Sequence, residues 1–186
     1  MTHTFFVLQV MTGEEQRFIS LAQRTIDQLP EFQGRYQLWW PRRKLIIRRR
    51  GKRIPTLAPL FPGYLFLEAE TLDSVLFHAV RRTTGFVRFL KNNDDIRPLS
   101  PDDLSLIRHF LSYGEIIGES RVTFDENNRI VVKDGPLAGL EGKIIKVDRR
   151  KRRAKVKLDM YENSFTVDFG FEILAPGNEP TSEEPA

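Results

Sequence analysis

Two stretches of this 186-residue chain concentrate the side chains best suited to meeting a ligand. Arg42 to Arg53 reads RRKLIIRRRGKR and holds eight basic residues with no acid, while Glu141 to Lys157 holds nine basic and two acidic residues. Together the two carry +15, which against a net charge of +4 leaves −11 on the rest of the chain. Cations at that density on an acidic body attract phosphates and steer a polyanion to two places rather than coating the protein. A pair of solvated basic hairpins has the same composition, and charge alone leaves both readings open. Catalytic chemistry is poorly provided for. The three histidines, His3, His78 and His109, fall on separate elements, and there is no cysteine, no H-E-x-x-H, no G-x-S-x-G and no P-loop. Asp102 and Asp103 open a helix and serve best as charges at its positive end. The chain is therefore expected not to be an enzyme and to need neither metal nor cofactor.

The absence of cysteine fits a reducing cytoplasm. No run of about 18 apolar residues exists to span a bilayer. The start, MTHTFFVLQVMTGEEQ, lacks the basic region and cleavage site of a secretion signal. A cytoplasmic protein without membrane contact, working as a monomer, is the expectation. Apolar residues make up 40%, enough for one or two small cores.

The elements that must carry the basic stretches follow from periodicity. Thr4 to Val10 is β-branched and aromatic, a buried strand. Thr12 to Glu15 has the Thr-x-x-Glu form of a capping box. The helix after it places Phe18, Ile19, Ala22, Ile26 and Leu29 on one face, and Pro30 stops it. Strands are predicted at Tyr36–Trp40, Leu45–Arg49, Gly63–Leu67 and Gly85–Leu90, with Gly51 in the turn of a basic hairpin. Asp73–Arg81 is a short helix with Val75, Leu76, Ala79 and Val80 inward. Ser100-Pro101-Asp102-Asp103 starts a further helix with a capping serine, a proline and acids in its first turn, and Leu104, Ile107, Phe110 and Leu111 form its apolar face. The order β-α-β-β-β-α-β-α describes an α+β sandwich on a mainly antiparallel sheet over residues 1–114. Residues 115–127 read as a linker. Residues 128–175 hold short strands and tight turns, among them Asp134-Gly135-Pro136 and bends at Gly139 and Gly142, and suit a small five-stranded all-β barrel. The tail 176–186 is rich in proline, glutamate and serine and reads as disordered.

Two motifs carry a resemblance. Leu60-Phe61-Pro62-Gly63-Tyr64-Leu65-Phe66 resembles the FPGY signature of the N-terminal (NGN) domain of NusG-type transcription elongation factors. Val131 to Gly142, VVKDGPLAGLEG, resembles the KOW motif that opens their SH3-like C-terminal barrel. Phe5-Phe6 stands where the family usually opens strand one with an aromatic pair, with Phe5 in place of the usual tryptophan. The resemblance covers roughly residues 4–175, with both motifs in order. Within the family, PLFPGYLF, the run DRRKRRAKV and Val167-Asp168-Phe169-Gly170-Phe171-Glu172-Ile173 are most similar to the specialised LoaP paralogues.

The resemblance implies that the N-terminal domain binds the clamp helices of RNA polymerase in an apolar cavity involving Phe5, Phe61, Pro62, Tyr64 and Phe86. Strand alternation places Phe61 and Tyr64 on opposite sides, so at least one is expected at the surface. Arg42, Arg43, Lys44, Arg48, Arg49 and Arg50 would lie near upstream or non-template DNA. In a LoaP-like barrel Lys143, Lys146, Arg149, Arg150, Lys151, Arg152, Arg153 and Lys155 would meet a nascent RNA hairpin, and Lys155 and Lys157 alternate with core-facing Val156 and Leu158. In a general elongation factor the barrel would instead dock on ribosomal protein S10 or Rho through Leu137, Leu140, Met160 and Tyr161. A ribosome-associated KOW protein is a further alternative that the FPGY stretch speaks against. The β-branched strands and glycine-rich turn favour a barrel over a helical C-terminal domain.

Overall fold

The computed structural model describes residues 3–175, so the tail at 176–186 lies outside the described residues. Contacts divide the chain into two compact units. The first holds the described residues up to Arg42, then Pro59–Ile116 and Asp159–Asn163; the second holds Arg43–Ala58, Ile117–Leu158 and the described residues from Ser164 on. The mixed α+β architecture, three α-helices in the first unit and otherwise mainly sheet, is the fold class expected from the sequence.

In the first unit the apolar alternation of strand β1 (Thr4–Val10) makes it a central strand. It pairs antiparallel with β5 (Tyr64–Ala69), from Thr4 opposite Ala69 to Gln9 opposite Tyr64. It also pairs with β6 (Phe86–Phe89), across an irregularity at Gln9/Val10. With β2 (Tyr36–Trp39) beside β5, the sheet order is β2-β5-β1-β6. One parity of β1, Phe6, Leu8 and Val10, packs into a core with Phe18, Ile19, Ala22 and Ile26 of helix α1 (Glu15–Ile26) and Leu76, Ala79 and Val80 of α2 (Ser74–Arg81). The other parity, Phe5 and Val7, is buried as well, and the Arg108 guanidinium of α3 (Pro101–Leu111) lies 6.0 Å from the Phe5 ring. A central strand covered on both faces reads as a continuous apolar run, as TFFVLQV does.

Several local expectations hold. The Ser100 hydroxyl accepts the Asp103 N–H, and Pro101 and two acids fill the first turn of α3. Others are corrected. The capping box at Thr12 does not form: Glu14 is the residue before the helix, it makes no side-chain cap, and Glu15 turns inward. Val75 is 43% exposed, because Leu76, Ala79 and Val80 already fill the inward stripe of a two-turn helix. α1 ends at Ile26, and Pro30 opens a separate 3-10 turn, Pro30–Phe32.

In the second unit β3 (Arg42–Arg49) and β4 (Lys52–Pro59) form the expected basic hairpin, turning at Arg50 and Gly51, both at positive φ. The stretch expected as a linker holds two strands, β7 (Ile116–Ile117) and β8 (Ser120–Phe124). Its alternation is short and interrupted by Gly118, which hid it in the sequence; pairing supplies what periodicity lacks. β8 pairs antiparallel with β9 (Ile130–Asp134) and parallel with β12 (Asn163–Ile173). With β10 (Ile144–Asp148) and β11 (Arg153–Met160) the sheet runs β10-β11-β12-β8-β9, five strands. Ala154, Val156 and Leu158 are buried, while Lys155 and Lys157 point away, the alternation expected from the sequence.

Candidate functional site

Each unit builds one tight turn from a glycine and a buried polar side chain. Phe61-Pro62-Gly63-Tyr64 closes through the Tyr64 N–H on the Phe61 carbonyl at 3.1 Å, with Pro62 second and Gly63 at φ +80, the residue pattern of a type II turn. The Glu15 carboxylate, 2% exposed, holds it from below: Oε1 accepts the Gly63 N–H and Oε2 the Gly13 N–H, both at 2.8 Å. The Gly63 carbonyl accepts the Val10 N–H at 2.8 Å. A Cβ on Gly63 would stand 2.7 Å from the Thr12 hydroxyl, so the chain before α1 sits directly against the turn.

In the second unit Asp134-Gly135-Pro136-Leu137 is pinned by Ser120, which is fully buried and whose hydroxyl accepts the Leu137 N–H at 2.9 Å. Gly135 has φ +98, and a Cβ there would meet Ser120 Cα at 2.7 Å. Asp134 pairs with Arg121, and the hydrogen bond from that guanidinium, then the Gly135 N–H, holds its carboxyl below the usual range.

The basic residues divide by what they touch. Arg42, half-buried, lies 4.7 Å from the Trp40 ring and 3.7 Å from Glu115. Arg43 donates from Nε to the Asp168 carbonyl at 2.6 Å; burial lowers its pKa, Asp168 opposes that, and Arg153 adds to it. Arg153 donates from Nη2 to the Ile46 carbonyl at 2.8 Å. Arg149 stacks on Phe124 at 3.5 Å and donates to Asn128. Lys151 and Lys155 stand 3.8 and 3.9 Å from Asp148 and Asp168. These contacts narrow the set expected to meet nucleic acid, because Arg42, Arg43, Arg149 and Arg153 are engaged with protein. Lys44, Arg48, Arg49, Arg50, Lys143, Lys146, Arg150 and Arg152 are exposed. Arg48 and Arg53 of the hairpin and Arg150, Lys151, Arg152 and Arg153 of the β10–β11 turn line one groove of about 540 Å³, with Ile46 and Ile47 and no acid. A neighbouring recess holds Lys146, Lys151, Arg153 and Lys155 with Asp148 and Asp168.

A family description, transcription termination factor nusG, matches residues 3–108, more than half of the chain. The chain belongs to the NusG family. Among curated NusG relatives, the transcription termination/antitermination protein of Thermus thermophilus is 24% identical over 181 residues, covering 92% of this chain and 97% of the relative. That of Bacillus subtilis is 23% identical over 174 residues, with 92% and 97% covered. A solved structure of Thermotoga maritima NusG shares the fold at a TM-score of 0.53 and 18% identity, covering 91% of this chain and 94% of that one.

Against that NusG membership, the aromatic residues expected at a partner cavity separate. Phe5 and Phe61 are 4% and 1% exposed, and Phe61 packs edge-on against Phe66 at 5.9 Å. Tyr64 and Phe86 are half-buried and Pro62 is exposed. An apolar cleft in this unit is lined instead by Phe6, Leu72, Phe77 and Ile96 with Asp73, Ser74 and Asn93. Leu137, Leu140 and Met160, expected to meet a partner protein, are buried. Tyr161 is half-buried, its N–H 3.4 Å from the Asp103 carboxylate and its hydroxyl donating to the Arg97 carbonyl at 3.3 Å. Reading the sequence missed Glu15 and Ser120. Glu15 carried a signal, a carboxylate three residues after a threonine, but its acceptor role needed Gly63, 48 residues away. No group of three or more metal-ligating side chains occurs among the described residues, and none of their helices is long and apolar enough to cross a membrane.

Proposed function

We propose that this NusG-family chain is a transcription elongation and antitermination factor of the LoaP type. The N-terminal domain, taken as residues 1–114, binds the clamp helices of RNA polymerase around Pro62, Tyr64 and Phe86, with Phe5 and Phe61 stiffening that surface from behind. Aromatic and proline surfaces set on a rigid core bind amphipathic helices at low entropic cost. Binding holds the clamp in the state that pauses and terminates least, a population shift that needs no chemistry. The basic barrel contacts a hairpin in the nascent RNA, and Lys44, Arg49 and Arg50, exposed on the β3–β4 hairpin outside the groove, run near upstream or non-template DNA.

The observation that supports the RNA reading over docking to ribosomal protein S10 or Rho is the acid-free groove of six cations, beside the burial of Leu137, Leu140 and Met160. A-form RNA is met by arginine and lysine on phosphates, with shape read more than sequence. Transcription in vitro through an intrinsic terminator, with and without an upstream hairpin-forming leader, tests the reading. Read-through raised by the full chain only on the leader template is the expected result. Failure to co-purify with polymerase sinks the polymerase contact, and read-through that needs ribosomal protein S10 instead of the leader returns the chain to the general NusG role.

A further inference from the structure

Within the second unit the two basic stretches, separated in sequence by about a hundred residues, form a single surface. We propose that they make one composite site for the phosphate backbone of an RNA stem, with the β3–β4 hairpin as one wall and the β10–β11 turn as the other; this rests on the RNA reading above. Arg48 and Arg53 face the groove from the hairpin, and Arg150 and Arg152 face it from the turn. All four are exposed, and of the four only Arg150 acts on a carboxylate, helping from a distance to hold the Asp148 carboxyl low. Cations gathered without an acid repel one another, and a phosphate chain relieves that repulsion.

The two walls are tied together by protein contacts. Arg153 donates to the Ile46 carbonyl at 2.8 Å and Arg43 to the Asp168 carbonyl at 2.6 Å, so two guanidiniums of the basic stretches are used to join hairpin to barrel. This division of labour distinguishes a built groove from two solubilising turns, which would leave every cation in water. The turns also hold arginine at a conformational cost. Arg152 has φ +52 and Arg50 φ +51, left-handed positions that asparagine or glycine takes more readily. In contrast, Lys151 and Lys155 lean toward Asp148 and Asp168 and contribute less to an anion.

The test titrates the full chain with an A-form RNA stem-loop of about 16 base pairs and with duplex DNA of the same sequence, across a salt series. Arg48→Ala/Arg53→Ala breaks one wall and Arg150→Ala/Arg152→Ala the other. The expected result is that each pair weakens RNA binding and lowers the slope of log Kd against log salt by about 2. Arg48→Lys/Arg53→Lys keeps the charge and is expected to keep most of the affinity. Arg152→Asn is expected to weaken binding while the melting temperature holds or rises, which separates loss of a contact from loss of the fold. If the hairpin pair binds like the parent while the turn pair loses affinity, the composite site is overturned and the RNA reading stands. If the parent chain does not bind the stem-loop, or binds duplex DNA equally well, the RNA reading itself fails.

Discussion

The turn at Phe61–Tyr64 and the turn at Asp134–Leu137 solve one problem with different chemistry. Both place a glycine at positive φ where an earlier part of the chain presses against it, and both anchor a backbone N–H on a buried side chain from that earlier part. The first uses a carboxylate, whose two oxygens hold two N–H groups, Gly13 and Gly63. It stands in the first turn of α1, where the helix dipole favours a negative charge. The second uses the Ser120 hydroxyl, which holds only Leu137. Charge-assisted bonds to an ion with little access to water are stronger than neutral ones, and their loss strands the donors more severely. The steric contrast runs the other way. A Cβ at Gly63 would press hardest on a side chain, the Thr12 hydroxyl at 2.7 Å, with the Val10 carbonyl at 3.3 Å, whereas one at Gly135 would press hardest on backbone, the Ser120 Cα at 2.7 Å. The first turn is the more dependent on electrostatics, the second on packing.

That contrast can be broken in order of expected size. Glu15→Ala should cost about 3 kcal/mol, chiefly from the buried Gly63 N–H left without an acceptor, read as a shift in urea midpoint at unchanged slope. A cost below that of Ser120→Ala would show the carboxylate to be dispensable. Gly135→Ala should cost about 2–3 kcal/mol and exceed Gly63→Ala, because the Thr12 side chain can give way and the Ser120 backbone cannot. Adding Thr12→Ala should recover part of the Gly63→Ala loss, leaving the penalty of a left-handed alanine and its crowding of the Val10 carbonyl. Ser120→Ala should cost about 1–2 kcal/mol, the worth of one neutral buried hydrogen bond and its stranded donor.

The smallest effect belongs to Asp134, which is well exposed. Its folded-state carboxyl is held low, first by Arg121 and then by the Gly135 N–H, so its contribution is present at neutral pH and is lost as the pH falls below about 4. Asp134→Asn should cost under about 0.5 kcal/mol at neutral pH after solvent screening, with parent and variant midpoints converging as acid protonates the folded-state carboxyl. A gap that widens with acid would reverse the assignment.

How much was legible differs between the parts. The apolar run of β1, the Ser100 cap of α3 and the Lys155–Leu158 alternation were readable because each is decided within a few residues of chain. The strand at Ser120–Phe124 was not, since its five residues become a strand by pairing with β9 and β12. Among the candidate site residues, the basic stretches were visible as groups, but which arginines remain free was not. Arg42 and Arg43 look the same as Arg48 and Arg49 in the sequence, yet the former pair is half-buried against Trp40, Glu115 and Asp168.

The class of protein was readable before any contact was known: two motif-bearing halves, an amphipathic helix set, a glycine-turned region of short strands and a charge imbalance that only two stretches create. These are properties of composition and short-range period, and they survive without knowledge of any contact. How polar groups are shared across long separations emerges only on folding. Glu15 reaches Gly63, Arg153 reaches Ile46 over 107 residues, and Arg43 reaches Asp168 over 125. The reason is that a side chain's periodicity states whether it faces inward, while the group that satisfies its charge or hydrogen bond is chosen by whichever distant segment the fold brings alongside.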